Sequence, residues 1–457
     1  MMALREAARV VAGELVGADA VFSGVGTDTR TLAAEELYVA LAGERFDGHD
    51  FVAAAFGRGA AGAIVDRARA DLTAGNLVRV ADPLAALGTL AGHWRRRFTL
   101  PLIAVVGSNG KTTVKEMIAE ILRAHFGADA TLATAGNLNN AIGLPLTLLR
   151  LRAAHRAGVV EIGMNHPGET AALSAMAAPT IAVVNNAQRE HQEFMGSVTE
   201  VAHEHAALVA ALPERGIAVV NADDPHVEVW RAAARQRGAV AVDFGEVPTA
   251  TVRAGAATSA AGNRLELVTP HGAAEVALGT LGRHNVANAL AAAAAALAAG
   301  VPLAAIVRGL EAFRPVAGRL VARAGVGGVA VIDDSYNANP DSVQAAVAVL
   351  ALAPAPRWLV LGDMGEVGAA GPAFHREAGE IARAAGIERL SSIGPLAGET
   401  AAAFGTGGRH YASVEELVAD LRALAVAGTT VLVKGSRFMR MERVVAALTD
   451  APAEGVH

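Results

Sequence analysis

The sequence predicts an α/β protein of three domains: a small first domain, a central mostly parallel sheet of the P-loop type, and a Rossmann-like last domain. Three observations predict it. Short apolar runs recur along the chain, each ending in a polar residue and followed by a helical stretch, as strands of a parallel sheet covered by helices do. The segment Gly107-Ser-Asn-Gly-Lys-Thr-Thr113 follows one such run and precedes a helical stretch, Val114 to Phe126. The length, 457 residues, suits about three domains.

In the first block, residues 1–98, the runs Leu37–Leu41 and Gly62–Val65 read as strands, and Arg95–Pro101 reads as a linker. In the second block, residues 99–314, Ile103–Val106 precedes Gly107, Val159-Val160 precedes Glu161, Ile181–Val184 precedes Asn185 and Ile217–Val220 precedes Asn221. The third block, residues 315–457, repeats the rhythm: Val329–Ile332 before Asp333, Leu359–Leu361 before Gly362-Asp363, Val431–Val433 before Lys434. Ligands of such sheets sit beyond the carboxyl ends of the strands. Polar residues at strand ends in two successive blocks therefore predict a cleft between domains. The run Ala289–Ala299 is too short to span a bilayer and reads as a helix packed through small residues.

Composition narrows the function classes. Hydrophobic content is 53% and aromatic content 4%, so the cores are expected to be built from Ala, Val and Leu. A net charge of −6 leaves no basic footprint and argues against nucleic acid. The absence of cysteine excludes disulfides and thiolate metal sites and fits a reducing compartment. Met1 to Gly13 carries Glu6 and lacks the apolar core of a signal peptide, and no run is long and apolar enough for membrane insertion. A soluble, cytoplasmic, monomeric protein is expected.

Gly107, Ser108, Asn109, Gly110, Lys111, Thr112 and Thr113 have the chemistry of a phosphate cradle. Glycines let backbone N–H groups approach phosphate oxygens, the helix N-terminus adds its positive end, and Lys111 adds a charge. The Thr112 hydroxyl suits Mg2+. The chain has only three lysines, Lys111, Lys115 and Lys434, among 39 basic residues. A lysine kept where arginine is otherwise used suits a compact ammonium in a tight loop. The first glycine of a standard P-loop is replaced by Val105, so an ordinary Gly-rich turn is the competing reading. Glu161, at a strand end downstream, reads either as a carboxylate meeting the Mg2+ held by Thr112 or as a surface acid. His191 reads as a structural or a functional imidazole. Asn137 and Asn139 form a polar turn. Asn285 and Asn288, three apart on a helix, share a face. Asp333-Asp-Ser-Tyr-Asn-Ala-Asn-Pro340 is a polar segment after a strand, and Lys434-Gly-Ser-Arg437 is a basic turn suited to an anion.

Together these segments resemble the Mur ligases, the ATP-dependent amide-forming enzymes of peptidoglycan precursor synthesis. The likeness runs over nearly the whole chain, including Asp28-Thr-Arg30, Gly43–His49, Ala135–Asn140, Glu161–Asn165, Gly282–Asn288, Gly318-Arg-Leu320 and Gly362-Asp-Met364. The segment Asp333–Pro340 sets it apart from sister ligases and points to a dipeptide-adding enzyme. The resemblance implies that residues 1–98 bind a UDP-sugar, that residues 99–314 bind ATP, and that residues 315–457 form the ligase domain. It implies ATP and Mg2+ as cofactors, and UDP-N-acetylmuramoyl-tripeptide and D-alanyl-D-alanine as substrates. By the same resemblance Gly107 to Thr113 bind the phosphates, Thr112 and Glu161 hold one Mg2+, and His191 holds a second. Asn285 and Asn288 contact the adenosine end, and Arg319 with Asp333 and Asp334 closes on ATP. Thr29, Arg30 and Arg45 hold the UDP-sugar, and Asn137 and Asn139 face the sugar-peptide. Beside the resemblance, amides at Asn337 and Asn339 could pair with the polar ends of the dipeptide acceptor, and Lys434 is a further substrate-binding candidate. Sister ligases, other P-loop enzymes and a non-catalytic nucleotide-binding module remain alternatives at this point.

One residue departs from the family. Ser197-Val-Thr-Glu200 is a capping box, so a helix is expected from about Val198 to Leu212, stopped by Pro213. Val201, His205, Leu208 and Leu212 then share an inward face, and His203 points away. His205 stands where the family commonly has a lysine that becomes carbamylated and binds the second Mg2+. An imidazole forms no carbamate. His205 is therefore a hydrogen-bonded core residue, a direct substitute as metal ligand or γ-phosphate contact, or a mark of lost activity.

Overall fold

The computed structural model describes residues 1–44, 46–258 and 263–449. Among these residues three main sheets follow one another along the chain, after a short ribbon of Met2–Ala3 against Val21–Phe22. The first sheet runs in the order Glu14–Val16, Leu77–Val80, Gly62–Asp66, Glu36–Val39, Gly24–Gly26, parallel except for its first pair.

The central sheet has nine strands. Its parallel part places Leu102–Val106 between Ile181–Val184 and Ala157–Glu161, with Glu161 in register with Val105 and Val184 with Val106. Three carboxyl ends thus stop at one level, and the loops leaving them meet. Leu102, Ala104 and Val106 enter one core and Ile103 and Val105 another. That is the period-two alternation of a strand covered on both faces, and it is why the run reads as continuously apolar. The helix His284–Ala298 lies on the second core with Ala289 to Ala296 fully buried, which accords with a helix packed through small residues. It packs against the helix Lys111–Phe126, which begins three residues before the expected Val114.

The third sheet runs Val321–Ala324, Ala330–Asp334, Thr430–Lys434, Arg357–Gly362, Arg389–Ile393, Gly408–Tyr411, parallel except for its first pair. Leu359 and Leu361 enter one core and Trp358 and Val360 the other, so this block is also covered on both faces.

Two features differ from the sequence expectation. The proposed linker is not loose: the helix Pro83–Arg95 runs into it, and the buried Arg95 donates to the carbonyls of Ala177, Ala178 and Phe98. Leu87 and Leu90 of that helix share one core with Ile64 of the first sheet and Val106 of the central one. The central sheet is also extended by Val252–Thr258, which joins it in parallel, and by Asn263–Thr269 and Gly272–Leu278, which follow antiparallel. Val252–Thr258 and Gly272–Leu278 are Ala- and Gly-rich and Asn263–Thr269 alternates, so none runs apolar as the buried parallel strands do.

Candidate active site

A cavity of about 1640 Å3 opens between the carboxyl ends of the central and third sheets. That exceeds a pocket for one drug-sized ligand and leaves room for two reactants. Ser108 to Thr113, Asn137, Asn139, Glu161, His191, Asn285, Asn288, Arg319, Asp334, Asn337, Asn339 and Lys434 all line it. Residues placed hundreds of positions apart therefore share one space.

The loop at its floor is shaped by close approach. Gly107 has φ +143° and Gly110 φ +82°. A Cβ on Gly107 would stand 2.8 Å from Asn185 Cβ, and one on Gly110 would collide with Asn288 Oδ1. Asn185 Nδ2 donates to Asn109 O (2.8 Å) and Asn288 Oδ1 (2.9 Å), Asn288 Nδ2 to Asn285 Oδ1 (2.8 Å), and Asn285 Nδ2 to Leu281 O (2.7 Å). Asn285 and Asn288 thus brace the loop through Asn185, a link that needs the fold to bring Asn185 beside them.

Glu161 is buried and fully engaged. Its Oε2 accepts from Thr112 Oγ1 at 2.9 Å and its Oε1 from Asn139 Nδ2 at 2.7 Å. Behind it Lys115, fully buried, donates to Thr134 O (2.9 Å), while Thr134 Oγ1 accepts from Glu161 N (3.1 Å). Asn139 therefore orients Glu161, and Asn137 is the exposed member of that turn. The donors at this corner are hard oxygens, the set that Mg2+ takes. Such an ion needs only one or two protein ligands beside phosphates and water. Among the described residues no three His, Asp or Glu side chains form a ready metal cage, and this corner requires none.

The sequence reading missed Glu190. It is 6% exposed and lines the cavity. Its Oε2 lies 3.2 Å from Lys111 Nζ and 3.6 Å from His191 Nε2, and its Oε1 lies 3.4 Å from His205 Nε2. Burial alone would raise this carboxyl, but Lys111, His205 and His191 outweigh it and hold it at about 2. Lys111 Nζ also donates to Gly107 O and Ser108 O. His191 Nδ1 lies 2.6 Å from Glu366 Oε2 across the cleft, and both residues have left-handed backbones, φ +50° and +56°. Bulky residues adopt that conformation only where the surroundings over-determine it. Glu190 stands in a polar loop where carboxylates are ordinarily solvated. Asking what faces the inward His205 was the signal available.

The expected His205 helix is observed as Val198–Ala210, with Ser197 Oγ accepting from Glu200 N. Glu200 reaches back to Gly196 N, one residue earlier than the box predicts. His205 is 1% exposed and does not line the cavity; His203 is exposed. Glu190 stands where a direct contact from His205 would have been.

From the third block, Arg319 Nη2 donates to Thr112 Oγ1 at 3.0 Å, with its guanidinium 4.4 Å from the Tyr336 ring. Asp334 pairs with Lys434 Nζ at 2.6 Å, and Lys434 also donates to Asn337 O at 2.8 Å. Asp333 turns the other way, to Ser335 and Arg323, because adjacent strand residues face opposite sides; of the expected pair only Asp334 lines the cavity. Asn339 caps the helix Pro340–Ala351 and donates to Asn109 Oδ1 at 3.0 Å. Its amide serves the fold and the P-loop, rather than lying free for an acceptor. Arg189, half-buried against Phe374, pairs with Asp341 and Glu377, each at 2.7 Å, and latches the two blocks.

The first block contributes little to this cavity. Thr29 and Arg30 lie outside it, and Arg30 is paired with Asp28 at the surface. Arg45 lies outside the described residues.

Comparison with known proteins gives three family matches: "Mur ligase family, catalytic domain" over residues 21–95, "Mur ligase middle domain" over 105–296, and "Mur ligase, glutamate ligase domain" over 318–437. The chain is 42% identical, over 96% of its length and 97% of the relative's, to UDP-N-acetylmuramoyl-tripeptide–D-alanyl-D-alanine ligase of Escherichia coli (strain K12). Its structure is similar to a crystal structure of MurF from Acinetobacter baumannii, with a TM-score of 0.90, 32% identity and 98% of each chain covered. It is also similar to MurF ligase from Thermotoga maritima in complex with ADP, with a TM-score of 0.82, 26% identity, and 93% of this chain and 96% of that one covered.

Proposed function

The chain belongs to the Mur ligase family, and from that premise we propose that it joins D-alanyl-D-alanine to UDP-N-acetylmuramoyl-tripeptide at the expense of ATP. The observation that carries the reading is one cavity receiving both the Lys111–Thr112–Glu161 corner and Arg319, Asp334 and Lys434 from the third sheet.

The chemistry explains the arrangement. A carboxylate is a poor electrophile, so the γ-phosphoryl group of ATP first passes to the tripeptide's terminal carboxylate. Two anions must meet, which requires concentrated positive charge. Lys111, the N–H groups of the loop and helix N-terminus, and Arg319 supply it. Mg2+, with Thr112 and Glu161 as ligands for one ion and His191 for a second, would neutralise charge on the phosphates when bound. The amine of D-alanyl-D-alanine then attacks the acyl phosphate and inorganic phosphate leaves. Water would destroy the acyl phosphate, so the Arg189 latch and the Asn109–Asn339 contact serve to keep the cleft closed.

We assign residues 99–314 to ATP, residues 1–98 to the UDP-sugar through Thr29 and Arg30, and residues 315–457 to the acceptor. Asn285 and Asn288 brace the adenosine side, and Asn137 faces the sugar-peptide. Asn337, exposed in the cavity, and Lys434 face the dipeptide. The enzyme is proposed to act as a cytoplasmic monomer with no nucleic-acid partner; among the described residues no helix is long and apolar enough to cross a membrane. The test is ADP release measured with each substrate alone and with both. Release that depends on UDP-tripeptide and D-alanyl-D-alanine together is expected. Equal release with either omitted contradicts the reading.

A further inference from the structure

We propose that Glu190 is an oxygen ligand, beside His191, for the divalent cation at the γ-phosphate end of the nucleotide, and that His205 positions it. The proposal rests on the phosphoryl-transfer reading above. Its starting point is a conflict of partners at Lys111. Lys111 Nζ points to Gly107 O, Ser108 O and Glu190 Oε2, and an ammonium has three donors. Contact with phosphate requires it to give up one of these partners. If it leaves Glu190, a buried carboxylate loses its nearest cation. Its other oxygen already lacks a hydrogen-bond partner among the described residues. A buried charge in that state is strongly unfavourable. A divalent cation arriving with the phosphates restores the balance at the same moment.

The surrounding geometry suits that exchange. Glu190 Oε2 and His191 Nε2 are 3.6 Å apart, both at the cavity wall. Adjacent ligands on one ion, each about 2.1 Å from it, stand about 3 Å apart, so a small closure brings the two onto a common ion. Glu366 Oε2 lies 2.6 Å from the other ring nitrogen of His191, without alignment for a hydrogen bond; a carboxylate at that nitrogen is the kind of partner that stands behind metal-ligating histidines. His205 Nε2 lies 3.4 Å from the far oxygen, Oε1, without alignment for a hydrogen bond, and the ring stays behind the cavity wall. His205 therefore acts through Glu190 as a positioning residue. A carboxylate built into the chain also needs no bicarbonate, whereas a carbamylated lysine would.

The test is titration of Mn2+ into the full chain with saturating β,γ-methylene ATP, with free ion followed by electron paramagnetic resonance. Wild-type protein is expected to take up two Mn2+. Glu190→Gln is expected to keep the ion at Thr112 and Glu161 and to weaken the other by about a hundredfold, with His205→Gln weakening it about tenfold. Glu190→Asp retains the charge with a shorter reach and guards against misfolding of the Gln variant; it is expected to weaken the same ion by about tenfold. Two sites of unchanged affinity in Glu190→Gln or Glu190→Asp, or a single site in the wild type, overturn the proposal. If the wild type binds two Mn2+, Glu190→Gln loses one, and no ADP is released with both substrates, the ligase reading falls and the Glu190 assignment stands.

Discussion

Two lysine–carboxylate pairs stand at strand ends on opposite walls of the cavity, and they are held in opposite ways. On the third sheet, Asp334 and Lys434 are register partners on adjacent parallel strands, so sheet pairing alone sets their 2.6 Å contact. At the central sheet, Lys111 comes from a helix start and Glu190 from a loop, and only the alignment of strand ends brings them within 3.2 Å. Their charges differ too. Burial raises the Asp334 carboxyl, and Lys434 and Arg319 do not overcome it. Burial would likewise raise Glu190, yet Lys111, His205 and His191 bring it down to about 2. One carboxylate is paired with its sheet neighbour and still raised by burial. The other sits among three positive or protonatable groups, a surplus suited to phosphate chemistry.

The comparison can be broken most severely at Lys111. Lys111→Arg keeps the charge but puts a planar guanidinium into a loop built for a compact ammonium. Turnover in the ADP-release assay is expected to fall by about a thousandfold. Near-normal turnover would mean that charge alone suffices at this wall.

The opposite wall is tested by stability. Lys434→Met leaves the largely buried Asp334 without its ammonium partner, and is expected to cost about 3 kcal/mol in urea unfolding. Adding Asp334→Leu is expected to restore most of that stability without restoring activity. Recovery of both would make the pair purely structural and remove Lys434 from the acceptor side.

A smaller effect is expected at Asn339. Losing the cap of Pro340–Ala351 by Asn339→Ala should cost about 1 kcal/mol, read as a lowered melting temperature. Use of D-alanyl-D-alanine and of ATP should weaken together, because the Asn109 contact joins the two walls. A loss confined to the dipeptide would instead place Asn339 on the acceptor.

The smallest expected change concerns the latch. Arg189→Ala removes the pairs to Asp341 and Glu377, and the scattering radius of the ligand-free protein should rise. An ATP analogue with UDP-tripeptide should bring it back. An unchanged radius would show that the Asn109–Asn339 and Arg319–Thr112 contacts hold the walls without it.

The parallel strands with polar ends are legible in the residues alone, because a strand buried on both faces must be apolar throughout and must change character where it meets ligand. So are the phosphate loop, whose glycines, Lys111 and Thr112 are contiguous, and the His205 helix, whose cap and inward face repeat every turn. Glu161 is legible too, since a carboxylate closing a buried run is conspicuous. Only the tertiary structure decided what each polar side chain touches. Asp333 and Asp334 are equivalent in sequence, and pleating sends one to the cavity and the other to Arg323. Asn339 reads as a recognition amide, and the fold uses it as a cap against Asn109. Arg95 reads as linker, and the fold buries it against Ala177. Glu190 carries no local signal beyond its neighbour His191, because its charge balance depends on Lys111 and His205 arriving from a helix start and a second helix. Periodicity and contiguous loops are written in neighbouring residues; charge balance in a buried site is a sum over residues that only the folded chain brings together.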